Sequence, residues 1–116
     1  MRAVVAGAGG FVGTHLVKFL KQKEYWVRGV DTHFPVYEPS LADEFLVLDL
    51  REQDASEEAV RDVDEVYQLA ADMGGIGWIT VYHADAAWNN TLINAHMLRA
   101  ALLGGVKRYF FSSSAC

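Results

Sequence analysis

The chain has 116 residues, 52% of them hydrophobic, and a formal net charge of -5. That composition suits one globular domain with an apolar core, and no basic block offsets the negative charge as a general nucleic-acid binder would require. The apolar runs are too short to span a bilayer, and a single cysteine excludes an internal disulfide.

In chain order, "RAVVAG" (2–7) reads as a short buried strand. A helix follows, with Val12, Leu16, Phe19 and Leu20 spaced along one face. "YWVRGVD" (25–31) is the second strand, and "THFPVYEPSLAD" (32–43) is the one proline-containing loop. "FLVLDL" (45–50) is the third strand. "SEEAVRD" (56–62) predicts a short helix, capped by Ser56 and carrying Glu57 and Glu58 in its first turn. "DEVYQLAA" (64–71) is the fourth strand. "DAAWNNTLINAHMLRAALLGG" (85–105) is the longest helix, with Asp85 as its cap and Gly104 or Gly105 as its stop. "KRYFFSS" (107–113) is the fifth strand.

The long helix carries two apolar stripes, one of Trp88, Leu92, Ala95, Leu98 and Leu102, the other of Ile93, Met97 and Ala101. One stripe can cover a sheet; the other can meet a second subunit or more of the same protein, or the helix can be buried on both sides within one domain. The order β-α-β-β-α-β-α-β, with near-continuous apolar strands, predicts an α/β fold with a doubly wound parallel sheet. No repeat or linker divides residues 1–116, which read as one domain.

"VVAGAGGFVGTHL" places Gly7, Gly10 and Gly13 in G-x-x-G-x-x-G spacing between a strand and a helix. Gly7 permits a tight turn, Gly10 lets backbone approach a pyrophosphate, and Gly13 lets the helix pack close to the strand. The N–H groups of the first helical turn, at Phe11, Val12 and Gly13, then face the phosphates. Asp31 stands 24 residues after Gly7, at the end of the second strand. A carboxylate there accepts hydrogen bonds from an adenosine ribose and repels a 2′-phosphate, which favours NAD over NADP. Asp49, at the end of the third strand, is placed to bond an adenine amino group, with Leu50 against the ring. Leu69, Ala70 and Ala71 end the fourth strand, where small residues let a cofactor lie against backbone. Gly74 and Gly75 open a loop that can approach a substrate.

The runs "GAGGFVG", "VLDLR", "LAADMGGIGW", "NNT" and "FFSSSAC", in this order, resemble the extended short-chain dehydrogenase/reductase family of nucleotide-sugar epimerases and dehydratases. "AADMGG" with "SSAC" is most similar to its GDP-mannose 3,5-epimerase branch. The resemblance covers the whole chain but only the N-terminal third or so of such an enzyme. It implies a Rossmann fold with about five of its strands present, a tightly held NAD, and a GDP-mannose-like nucleotide sugar as substrate. It also implies a homodimer paired through helices. Ser114 matches the active-site hydroxyl that bonds the reacting oxygen. Cys116 matches the acid/base thiol that exchanges a proton beside a transient ketone, a role open to a thiolate near neutral pH. Asn90 matches a helix asparagine that organises the active site, and Gly74 and Gly75 match the substrate-contacting loop.

The family's Tyr-x-x-x-Lys pair is not in this sequence: the tyrosines are at 25, 37, 67, 82 and 109, and none has Lys four residues later. Residues 1–116 by themselves are therefore expected not to catalyse epimerisation. Two alternatives remain, a family member acting on a different nucleotide sugar and a non-catalytic NAD-binding module. His15, His33, His83 and His96 have no metal-ligand spacing, so no zinc site is expected. Glycines interrupt the N-terminal apolar run, so no signal peptide is expected, and with the single cysteine the expected location is cytoplasmic.

Overall fold

A computed structural model describes residues 1–35, 38–70 and 76–111, with 76–89 described at the backbone only. The element order is β1 (Arg2–Ala6), α1 (Phe11–Gln22), β2 (Trp26–Asp31), β3 (Glu44–Val47), α2 (Gln53–Ala59), β4 (Glu65–Gln68), α3 (Ile76–Leu103) and β5 (Arg108–Phe111). The strands form one parallel sheet in the order β3-β2-β1-β4-β5. The order reverses at β1, so β1 and β4 diverge into connections on opposite faces. A crevice opens at their carboxyl ends.

β1 is buried on both faces, which is why it reads as a continuous apolar run. Ala3 and Val5 point into a core shared with Val17 and Leu20 of α1 and Val27 of β2. Val4 and Ala6 point into the opposite core, with Ala59 of α2, Val66 of β4, and Ile93, Met97, Ala100 and Ala101 of α3. The doubly wound parallel sheet expected from the sequence is present.

Several local expectations are corrected. The buried face of α1 is Gly13, Thr14, Val17 and Leu20, whereas Val12 and Phe19 are exposed. Gly13 turns inward because a residue without a side chain allows close approach to the loop below, and Val17 and Leu20 follow on that face into the core. α2 begins three residues before Ser56, with Glu52 in the capping position and Asp54 as its first-turn acid. Ser56 is fully buried inside that helix, and its hydroxyl donates to the carbonyls of Leu50 (3.3 Å) and Glu52 (3.4 Å). A hydroxyl bonded back to carbonyls cannot serve as a cap for amides. α3 begins at Ile76, so Asp85 lies within it rather than at its start. It stops where expected: Gly104 N–H bonds the Ala100 carbonyl at 2.8 Å, and Gly105 takes φ +72°.

Of the two α3 stripes, Ile93, Met97 and Ala101 face the sheet. Leu98, Leu102 and Ala95 of the other face outward, and Leu92 is half-buried. No helix among the described residues is long and apolar enough to cross a membrane.

Arg28 fixes α2 to the sheet. Its buried guanidinium bonds Glu44 at 2.5 Å and the carbonyls of Ala59 (2.8 Å) and Arg61 (2.7 Å) at the end of α2. Cationic donors suit a helix C-terminus, where carbonyls lack intrahelical partners.

Candidate functional site

The carboxyl ends of β1, β2 and β4, with the segment after β3, enclose a cleft of ≈ 530 Å³. Gly7, Gly10, Asp31, Asp49, Leu50, Leu69 and Ala70 line it, so seven residues named from the sequence meet in one place. Thr32, His33, Leu48, Arg51 and Ile93 complete the lining and had not been singled out for it.

The glycine loop is built as its spacing predicts. Gly7 has φ +90°, and a side chain there would stand 2.9 Å from the Ala70 amide nitrogen. Both reasons demand glycine. A Cβ on Gly13 would meet the Gly7 carbonyl oxygen at 2.1 Å, so α1 sits directly on the loop. Gly10 differs: a Cβ there has only an ordinary contact at 3.5 Å, so packing alone does not require glycine. That position is open to something outside the chain. Gly10 occupies the capping position of α1 with no side-chain cap, and the first turn holds no acid. Helix geometry leaves first-turn amides without intrahelical acceptors and puts partial positive charge there. Phe11 and Val12 present exposed side chains at this end and do not line the cleft. Phe11 instead packs edge-on against His15, ring centroids 4.6 Å apart.

Asp31 ends β2 with its side chain mostly buried. Oδ2 accepts the Gly9 N–H at 2.8 Å, and Oδ1 accepts the Thr32 N–H at 2.6 Å. A Cβ on Gly9 would stand 2.5 Å from the His33 carbonyl oxygen and 2.9 Å from Asp31 Oδ2. Gly9 is thus a residue that the motif spacing missed, since it falls between the three spaced glycines.

β3 ends at Val47, two residues before Asp49, which lies in the following turn. Arg51 donates to both Asp49 oxygens, Nη2 to Oδ2 at 2.7 Å and Nε to Oδ1 at 3.0 Å. Those bonds hold the Asp49 carboxyl below the usual carboxylate range, so it presents an anionic acceptor to the cleft. Leu50 is nearly buried and forms floor and core at once.

β4 ends at Gln68, and Leu69 and Ala70 lie just beyond it. The Gln68 side chain is buried. It donates to the Ala70 carbonyl (3.0 Å) and Asn94 Oδ1 (2.9 Å), and its oxygen accepts the Ala70 N–H (3.1 Å). This amide shapes the wall that Ala70 presents, and no local sequence signal marks it. Asn90 is half-buried on α3, one turn before Asn94. Ala71, Gly74, Gly75, Ser114 and Cys116 lie outside the described residues.

A glycine turn under a helix start, an acid at the end of β2 and an anionic acceptor after β3 fit a dinucleotide with its pyrophosphate at α1. Residues 3–116 match the NAD dependent epimerase/dehydratase family. The chain belongs to this family. Within it, the chain is 41% identical over 118 residues to GDP-mannose 3,5-epimerase 1 of Oryza sativa subsp. indica, covering 100% of this chain and 31% of that protein. GDP-mannose 3,5-epimerase of Arabidopsis thaliana is 38% identical over 118 residues, with the same coverage of 100% and 31%. A solved short-chain dehydrogenase/reductase superfamily protein from Agrobacterium tumefaciens, with bound NAD, superposes with a TM-score of 0.81 at 30% identity. That match covers 98% of this chain and 33% of that one. The chain thus spans about a third of the length of the curated relatives it matches. Its fold is the NAD-binding Rossmann fold of the epimerase/dehydratase family, and NAD is the family's cofactor.

Proposed function

We propose that this chain is the NAD-binding part of a nucleotide-sugar epimerase acting on a GDP-mannose-like substrate. The observation that carries the reading is the convergence of the glycine turn, Asp31 and Asp49 on one cleft, in a chain 41% identical to a GDP-mannose 3,5-epimerase. Gly7, Gly10 and the first-turn amides at Phe11, Val12 and Gly13 would hold the pyrophosphate. Asp31 would take the adenosine ribose, and Asp49 the adenine amino group, with Leu50 beneath the ring. Leu69, Ala70 and Ala71 would form the wall, and Asn90 would support it from α3. When bound, NAD supplies a hydride acceptor for a sugar hydroxyl and returns the hydride later.

The chain's own contribution to the chemistry falls to Ser114 and Cys116. Oxidation of a sugar hydroxyl acidifies the neighbouring C–H, and a thiolate at Cys116 takes that proton. Ser114 would hydrogen-bond the oxygen of the hydroxyl whose carbon is oxidised. Gly74 and Gly75 offer backbone to the sugar. Residues 1–116 contain no Tyr-x-x-x-Lys, so we expect them not to catalyse epimerisation by themselves. The outward stripe of Leu98 and Leu102 on α3 supports a homodimer, and the single cysteine supports a cytoplasmic location.

The test is incubation of the full-length protein with NAD and GDP-mannose in deuterated water. The expected result is deuterium in the recovered sugar, lost with Cys116→Ser while calorimetric NAD binding stays intact. No exchange with GDP-mannose, but exchange or turnover with another nucleotide sugar, would move the substrate within the family. Full activity of Cys116→Ser would remove the acid/base role.

A further inference from the structure

We propose that His33 sets the cofactor preference of this cleft, and that its protonation weakens the discrimination between a ribose 2′-hydroxyl and a 2′-phosphate. The inference rests on the cleft holding the adenosine end of the dinucleotide at Asp31, as proposed above.

The imidazole is oriented from one side. His33 Nδ1 lies 3.0 Å from the Phe34 carbonyl oxygen. A carbonyl only accepts, so Nδ1 carries the hydrogen and donates. The Phe34 ring stacks on Phe45 of β3 with centroids 5.0 Å apart, which anchors the carbonyl's residue. In the neutral ring, Nε2 is then a lone pair. It faces Asp31 Oδ1 at 3.8 Å, where two acceptors make no bond. The protonated ring reverses this. Nε2 gains a hydrogen, and the same contact becomes an ion pair with the carboxylate that is to hold the ribose.

Asp31 excludes a 2′-phosphate by its charge, and its two oxygens are already fixed by Gly9 and Thr32. An imidazolium beside it cancels part of that repulsion and supplies a cation to the phosphate. It also competes with the ribose for Oδ1, so both effects lower the preference for NAD. The other charged groups lining the same cleft are Asp49 and Arg51. They bond each other through both Asp49 oxygens, so they form a locally neutral pair that stays fixed while an imidazole titrates.

The experiment is calorimetric titration of the full-length protein with NAD and with NADP at pH 5.5 and pH 8, read as the ratio of the two dissociation constants. His33 is exposed, so its variants should fold. In the wild type the preference for NAD should fall about fivefold at the lower pH, the scale of a partly exposed ion pair. The 2′-phosphate titrates near pH ~6 on its own, and His33→Gln isolates that contribution. His33→Arg should show the low preference at both pH values. Equal pH dependence in wild type and His33→Gln, or an unchanged preference in His33→Arg, would overturn the proposal while leaving the NAD site standing. Absence of NAD binding in the wild type at both pH values would instead overturn the cofactor assignment and this inference with it.

Discussion

The amide of Gly9 donates to Asp31 Oδ2 over 2.8 Å, joining the glycine turn to the end of β2 across 22 residues of sequence. The carboxylate proposed for the ribose is thereby positioned by the same loop proposed for the pyrophosphate. Gly9→Ala would push a methyl to within 2.5 Å of the His33 carbonyl and 2.9 Å of Asp31 Oδ2. The loop must shift, and a hydrogen bond to a charged group is lost. NAD affinity measured by calorimetry should fall by about tenfold or more. Unchanged affinity would mean that Asp31 holds its place without the loop.

Gly10 and Gly13 should separate binding from folding. A methyl on Gly13 meets the Gly7 carbonyl at 2.1 Å, whereas one on Gly10 has only an ordinary contact at 3.5 Å. Gly13→Ala should cost about 1–3 kcal/mol or more in urea unfolding. Gly10→Ala should cost about 1 kcal/mol or less, the price of a poorer capping residue, yet abolish measurable NAD binding. Tight binding by Gly10→Ala would show that no ligand approaches that backbone.

Arg28 should matter to stability and not to the cleft. Arg28→Leu removes a buried donor from the carbonyls of Ala59 and Arg61 and leaves Glu44 unpaired. The loss should be about 2–4 kcal/mol in chemical denaturation. Arg28→Lys should recover little of it, because one ammonium cannot span three acceptors in a planar fork. NAD affinity, extrapolated to the folded protein, should be unchanged. A variant as stable as the wild type would show that water replaces the guanidinium at this helix end.

The Asp49–Arg51 pair carries a pH signature. Arg51 lowers the Asp49 carboxyl below its ordinary value of 3.8 in the folded state. A depressed folded value stabilises the protein above the unfolded value, and that contribution is lost as pH falls through the folded one. Arg51→Ala should therefore raise the Asp49 midpoint in a carboxyl NMR titration and weaken the protein at neutral pH. The stability difference from wild type should disappear below the folded midpoint. An unmoved Asp49 midpoint would assign the shift to something other than the guanidinium.

The glycine turn, Asp31 and the parallel order were legible because they are local or set by strand length. The distance from Gly7 to Asp31 is one helix plus one strand, and the topology does the rest. What was not legible depends on partners brought from elsewhere. Gly9 looks like a spare glycine until β2 places Asp31 and His33 above it. Ser56 has the composition of a cap, but its hydroxyl is claimed by the Leu50 and Glu52 carbonyls. Val12 and Phe19 fit a helical stripe, but α1 turns Gly13 and Thr14 inward because close approach to the loop outweighs apolar spacing. Gln68 gives no sign in "DEVYQLAA" that its amide will reach a residue 26 positions away.

That same amide acts as a mechanical strut. Gln68 grips Ala70 through both its carbonyl and its N–H and holds Asn94 with its remaining donor hydrogen. Ala70 borders the cleft, while Asn94 rides on the helix one turn before the exposed Leu98, on neighbouring positions of the same side. The cleft wall and the helix therefore cannot slide independently without breaking a buried bond. A shift of that helix is thus felt at the Ala70 wall of the cleft through one buried amide.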